Sequence, residues 1–174
     1  RSTPWTTARS RPAPSCSLSP TRVLLTPRRL DVALKYRFFR SLVGGDDPDA
    51  ERLYRWHIEK RSGHRMALGL ATDRWKTTLD DYVASAGRLL GSMQRLGFLP
   101  QRPIPIDADG ELLDGSHRVA CAVALGIDQI PVERHPLRRA WAPAWGEAWF
   151  VENGMAGADL ERLRTDYELL KTAC

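Results

Sequence analysis

The stretch "PIPIDADGELLDGSHRVACAVALGIDQIPV", residues 103–132, constrains the fold most tightly. Its Pro-Ile run reads as a strand, Asp109–Gly110 as a turn, and the residues that follow as a second short strand. Gly115 then opens an alanine-rich helix that Gly126 stops, and a further strand carries Ile130 and Val132 on one side. Helical patterns lie before and after this block. The order helix, strand, strand, helix, strand, helix predicts an α+β fold, a small mixed sheet packed by helices.

Three helical stretches come first. Leu30, Ala33, Leu34, Phe38 and Leu42 recur at helical spacing ahead of Gly44–Gly45. In the next stretch Asp46 or Asp47 caps, Pro48 suits the first turn and Gly63 ends the helix. Leu53, Trp56 and Lys60 share one of its faces, and Arg55 and Glu59 another. The third, behind Thr77 or Thr78, carries a stripe of Tyr82, Ala86, Leu89, Leu90 and Met93 and closes at Gly97. Residues 138–154 and 158–173 return to helix. Trp141, Trp145 and Trp149 fall there at four-residue intervals and read as core packing, with Pro143 near a helix start.

Residues 1–20, rich in Ser, Thr, Pro and Arg, read as a disordered basic tail ahead of one domain over 21–174. Six of the 26 basic residues and no acid lie in the first 30 positions, so 20 basic and 21 acidic residues leave the remainder nearly neutral. A protein gripping several phosphates of a duplex carries its basic surplus on the folded surface, so nucleic acid is not the expected partner. Cys16, Cys121 and Cys174 form no CxxC pair, which leaves neither a disulfide framework nor a zinc ribbon. No apolar run nears the roughly 20 residues a membrane span needs, and the start lacks a secretory layout. The expectation is a cytoplasmic chain that does not enter a membrane.

Asp114, Gly115, Ser116, His117 and Arg118 stand where the alanine-rich helix begins. First-turn amides without intrahelical partners, together with the positive helix end, suit an anion. Gly115 lets backbone approach closely, Ser116 adds a hydroxyl donor, and Arg118 adds a planar fork matched to phosphate oxygens. His117 donates or accepts near neutral pH. Asp114 is placed to orient a metal or to take a proton from a hydroxyl. The same residues equally describe a tight turn with Ser116 as a helix cap.

Residues 89–133 resemble the ParB/sulfiredoxin superfamily. The shared pattern is a helix, a Gly-Phe step, the Pro-Ile strand, an Asp-Gly turn, a His-Arg pair opening a helix, Leu-Gly, then Ile-Pro-Val. The resemblance implies that fold, and a nucleotide-phosphate cradle formed by Gly115, Ser116, His117 and Arg118. Sulfiredoxin-like enzymes carry a catalytic cysteine where this chain has Ser116. Cys121, a turn into the helix among alanines, reads as core, because a nucleophilic thiol needs exposure and positive surroundings. ParB partition proteins continue into a DNA-binding domain, whereas here the residues after the motif's helix are tryptophan-rich without a recognition-helix pattern.

The free-serine kinase branch carries Asp-Gly-x-His-Arg, matched position for position by Asp114 to Arg118. That branch implies transfer of a phosphoryl group from ATP or ADP, with Mg2+, to a hydroxyl of a small polar metabolite. Asp114 would act on the hydroxyl or the metal, and an upstream glutamate as base, for which Glu59 is the candidate. Around Glu59, "YRWHIEKRSGHRM" and "DRWKTTLDDY" crowd His57, Lys60, Arg61, His64, Arg65 and Lys76 together. Phosphoryl transfer runs on positioning and charge neutralisation, so Arg61 and Lys76 are read as screening the phosphates. Similar arrangements occur in bacterial proteins encoded with polysaccharide and natural-product pathways, which points the substrate towards biosynthesis. Arg55 and Glu59 equally form a solvated i,i+4 pair, His57 and His64 read as packed rather than metal-ligating, and Asp107 and Asp109 as turn residues. Two rivals keep the fold: a nucleotide-sensing module without chemistry, and a DNA-associated protein gripping through its arginine tail.

Overall fold

The computed structural model describes residues 15–62, 76–136 and 144–172. Among the described residues it is a mixed α+β chain, six helices around a three-stranded sheet. The elements run β1 (Ser15–Pro20), a 3-10 turn (Thr21–Leu24), α1 (Asp31–Val43), α2 (Pro48–Arg61), α3 (Leu79–Leu96) and β2 (Ile104–Ile106). They continue with α4 (Ser116–Ala124), β3 (Gln129–Arg134), α5 (Glu147–Glu152) and α6 (Gly157–Thr172).

β3 lies between β1 and β2, antiparallel to the first and parallel to the second. Ile104 pairs with Val132, and α4 supplies the crossover that two parallel strands require. The expected second strand after the Asp-Gly turn is only a bridge between Ile106 and Leu112. Asp107 explains the shortening. Its carboxylate accepts from the amides of Asp109 and Glu111 at 2.9 Å each, which bends the chain before a ladder extends.

Ser15–Pro20, expected to belong to a disordered tail over 1–20, instead pair along β3. The apolar positions of that strand face solvent, Cys16 being exposed and Leu18 70% exposed. Its place comes from the ladder, from Thr21 N–H donating to the Asp128 carbonyl at 2.9 Å, and from Thr21 Oγ1 donating to the Ile127 carbonyl at 2.6 Å. Residues 1–14 lie outside the described residues.

The helices begin and end where their signals stand. Asp47 caps α2 by accepting from the Asp49 amide, with Pro48 in the first turn. Thr78 and Asp81 form a reciprocal capping box on α3. α1 is the central element and packs against α2, α3, α4 and α6. It buries Val32, Ala33, Leu34, Phe38 and Phe39, whereas Leu42, expected on that stripe, is exposed. The small side chains Ala120, Cys121 and Ala122 let α4 approach α1 closely, and all three are fully buried with Ile104, Ile130 and Phe150. Each buried large apolar side chain contributes about 1.5–3 kcal/mol. No helix of the described residues is long and apolar enough to cross a membrane.

Candidate functional site

The turn into α4 is shaped by packing. Gly115 sits in the left-handed region at φ +91°, and a Cβ there would meet Ile104 Cδ1 at 2.7 Å. Gly115 offers no side-chain cap, so the amides of Ser116, His117 and Arg118 open the helix unsatisfied by it. Ser116 is buried, and its Oγ accepts a hydrogen bond from Lys35 Nζ at 2.7 Å. An ammonium only donates, so the Ser116 hydroxyl must point its own hydrogen elsewhere. Nothing among the described residues accepts it.

Lys35 is held from behind. Its Nζ donates to Asp31 Oδ2 at 2.6 Å, one turn earlier on α1. Arg29 grips the same carboxylate with two nitrogens, at 2.8 and 3.1 Å, and donates to the Leu112 carbonyl at 2.7 Å. Asp31 and Lys35 are wholly buried. Burial alone would raise Asp31, but the charges of Lys35 and Arg29 outweigh it and hold the carboxyl well below the usual range. Burial pulls the Lys35 ammonium down to about 8 against the opposing attraction of Asp31, with Arg61 and Arg29 adding repulsion.

Trp145 is the hub of the surrounding charge. Its ring centre lies 5.0 Å from the Arg29 guanidinium carbon, 5.6 Å from Lys35 Nζ and 5.9 Å from the Arg61 guanidinium carbon. Gly146 brings it there, for a Cβ at that position would stand 2.9 Å from the Pro27 carbonyl oxygen. Tyr82 carries Lys76 at 4.7 Å and Arg61 at 5.4 Å over its ring. Arg61 makes no salt bridge among the described residues, and the carboxylate bonded to Lys35 and Arg29 is Asp31 alone. Arg29 and Lys35 thus share the carboxylate of Asp31 beside a helix N-terminus, and Arg61 and Lys76 lie over the neighbouring rings of Trp145 and Tyr82.

Two imidazoles complete the group. His117 Nε2 and the Tyr54 hydroxyl lie 2.9 Å apart, and Tyr54 stacks on Phe38 at 4.1 Å. His57 is fully buried between Trp145, Trp149 and Phe150, with ring centres 6.0, 5.5 and 5.7 Å away. Neither of its nitrogens has a hydrogen-bond partner. Leaving such a group unpaired costs about 1–3 kcal/mol. Burial first, then nearby positive charge, Lys35 foremost, pushes both imidazoles well below their ordinary range, so both are neutral at pH 7.

Of the residues predicted from sequence, Ser116, His117, Arg61 and Lys76 meet in this group, and Gly115 forms the turn beside it. Arg118 is committed elsewhere: its guanidinium donates to the carbonyls of Arg102 and Pro103 at 2.7 and 3.3 Å, fastening α4 to the start of β2. Asp114 is exposed, and its charge acts on Arg118. Glu59 is exposed too, two residues along α2 from buried His57 and therefore on the opposite face. His64, Arg65, Gly63, Trp141, Pro143 and Cys174 lie outside the described residues. Trp145 precedes α5 rather than sharing a stripe within it. Cys121 is buried, and burial pushes its thiol up to about 12.

A nucleotide's phosphates fit this donor set, which offers an oriented hydroxyl, an ammonium, a guanidinium and first-turn amides. Among the described residues no three His, Cys, Asp or Glu side chains cluster as metal ligands, and Asp31 is already bonded by two cations. A larger cavity of about 570 Å3 opens at the other end of α4, between Thr21, Arg22, Tyr36, Ile127 and Asp128. Set against family models, curated proteins and solved structures, the chain matches none of them.

Proposed function

We propose that the start of α4 is a seat for the phosphates of a nucleotide, on a ParB/sulfiredoxin-like domain, and that the protein transfers a phosphoryl group from ATP or ADP to a hydroxyl of a small polar metabolite. The observation that carries the reading is the buried Lys35–Ser116 contact. It leaves the Ser116 hydroxyl hydrogen without an acceptor among the described residues, beside Arg29 and Lys35, two cations that share the one carboxylate of Asp31. Lys35, Arg61 and Lys76 neutralise phosphate charge, and Ser116 and the first-turn amides fix its oxygens. His117, neutral and held by Tyr54, orients the bound group. Magnesium would arrive on the nucleotide's own phosphates rather than on a protein carboxylate. Asp114, exposed beside Gly115, and Glu59, exposed on α2, are the candidates to take the proton of the acceptor hydroxyl.

Phosphorus NMR of the protein with ATP or ADP, Mg2+ and a panel of amino acids and sugars tests the transfer. A new phosphomonoester resonance is the expected result, and an unchanged spectrum with every acceptor opposes it. Among the described residues the carboxylate beside these cations, Asp31, is already bonded by Arg29 and Lys35, which favours a second reading, a nucleotide-sensing module without chemistry. It predicts saturable binding that returns the nucleotide intact and changes the oligomeric state.

A further inference from the structure

His57 is the most exceptional polar group among the described residues. Its ring is wholly buried, both nitrogens lack partners, and three aromatic rings hold it in place. A phenyl ring would fill the same box without burying two unpaired nitrogens, so packing alone does not account for an imidazole here. The box is not isolated from the phosphate seat. His57, Lys35 and Arg61 all lie within 6.0 Å of the Trp145 ring centre, and Trp145 and Trp149 are only partly buried.

We propose that His57 is a ligand of the bound phosphate chain: when the seat fills, an imidazole N–H of His57 donates to a non-bridging phosphate oxygen. The proposal rests on the phosphate-seat reading above and names a residue which that reading does not use. The ligand class is a phosphoanhydride, shared by nucleoside di- and triphosphates and by inorganic pyrophosphate.

A consequence follows from charge. The groups facing His57 are Lys35 and Asp31 from α1, Arg29 just before it, Arg61 on its own helix and His117 from α4, while α5 contributes the uncharged Trp149 and Phe150. With the cations in excess, the imidazole is neutral while the seat is empty. A polyanion reverses the local field, so the ring takes one proton from solvent as the ligand binds.

Calorimetric titration of the full chain with ATP and with inorganic pyrophosphate, in buffers of different ionisation enthalpy near pH 6.5, reads that proton directly. We expect net proton uptake in the wild type, lost in His57→Gln and His57→Phe, and affinity at least about tenfold weaker in His57→Phe. His57→Phe should also melt at a higher temperature than the wild type, because it removes the unpaired nitrogens while keeping the box filled. His57→Gln, which retains an N–H donor, keeps the test open should the phenylalanine variant fold poorly. Wild-type binding without proton uptake, or binding unchanged in both variants, overturns the role of His57 and leaves the seat standing. No binding by the wild type overturns both.

Discussion

Two charged regions of this molecule obey opposite rules. Along the rim where α1, α2 and α6 meet, arginines pair with carboxylates: Arg52 meets Asp49 and Asp159, Arg162 meets Asp49, and Arg37 meets Asp47 and Asp166. These pairs are exposed or half-buried, where water already solvates the charge and each pair is worth roughly 0–1 kcal/mol. At the start of α4 Arg29 and Lys35 are buried around the one carboxylate of Asp31, with Arg61 and Lys76 over the rings of Trp145 and Tyr82. Burying surplus charge of one sign is costly, so the second region is the one that gains from an incoming anion.

Substitutions separate the two regions sharply. Asp31→Ala removes the shared counter-ion of Arg29 and Lys35, and denaturant unfolding should show a loss of about 3–5 kcal/mol or failure to fold. Gly115→Ala forces a side chain into a left-handed position against Ile104, at a cost of roughly 1–3 kcal/mol in the same assay. Lys35→Met should leave stability near that of the wild type while weakening ATP at least about tenfold, because the buried stem is replaced and only the ammonium is lost. Arg162→Ala, on the rim, should fall within about 0.5 kcal/mol of wild type.

The response to pH sharpens the same contrast. In the fold Asp31 is held below its ordinary 3.8, so the unfolded chain takes that proton first. Its contribution is therefore complete above about pH 4 and declines as the pH falls further. Lys35 behaves in the reverse direction. Folding lowers it from 10.5 to about 8, the unfolded chain binds more protons between those values, and stability rises with pH across that window. Thermal melts should show the rise in the wild type and its absence in Lys35→Met.

Much of this was legible in the sequence, and the part that was not has a physical cause. Capping residues, the Asp-Gly turn, Gly115 and the alternation of Ile130 and Val132 are local signals, and the elements form where those signals stand. Ser116 and His117 stand out in the sequence because they open a helix behind a glycine, Arg61 and Lys76 because they crowd with other charges, and the fold brings the four near one another. Arg29, Asp31 and Lys35 were not singled out, although Asp31 and Lys35 stand four residues apart in phase with Ala33, Leu34 and Phe38. A charged pair in register with an apolar stripe signals a buried ion pair, a signal that resembles that of an ordinary solvated i,i+4 pair. His57 falls in phase with Leu53, Tyr54 and Ile58 in the same way. Arg118 and Glu59 depend on tertiary placement: one is captured by carbonyls sixteen and fifteen residues away, and the other turns to solvent.

The central claim is that the unbalanced cations at the α4 N-terminus await the phosphates of a nucleotide. The most direct test is titration calorimetry of the wild-type chain with ATP, ADP and CTP at low and at moderate salt. Saturable heats with at least one of them, weakening as salt rises and falling at least about tenfold in Lys35→Met, are the predicted outcome. Flat traces with all three, or binding that Lys35→Met leaves untouched, would contradict it.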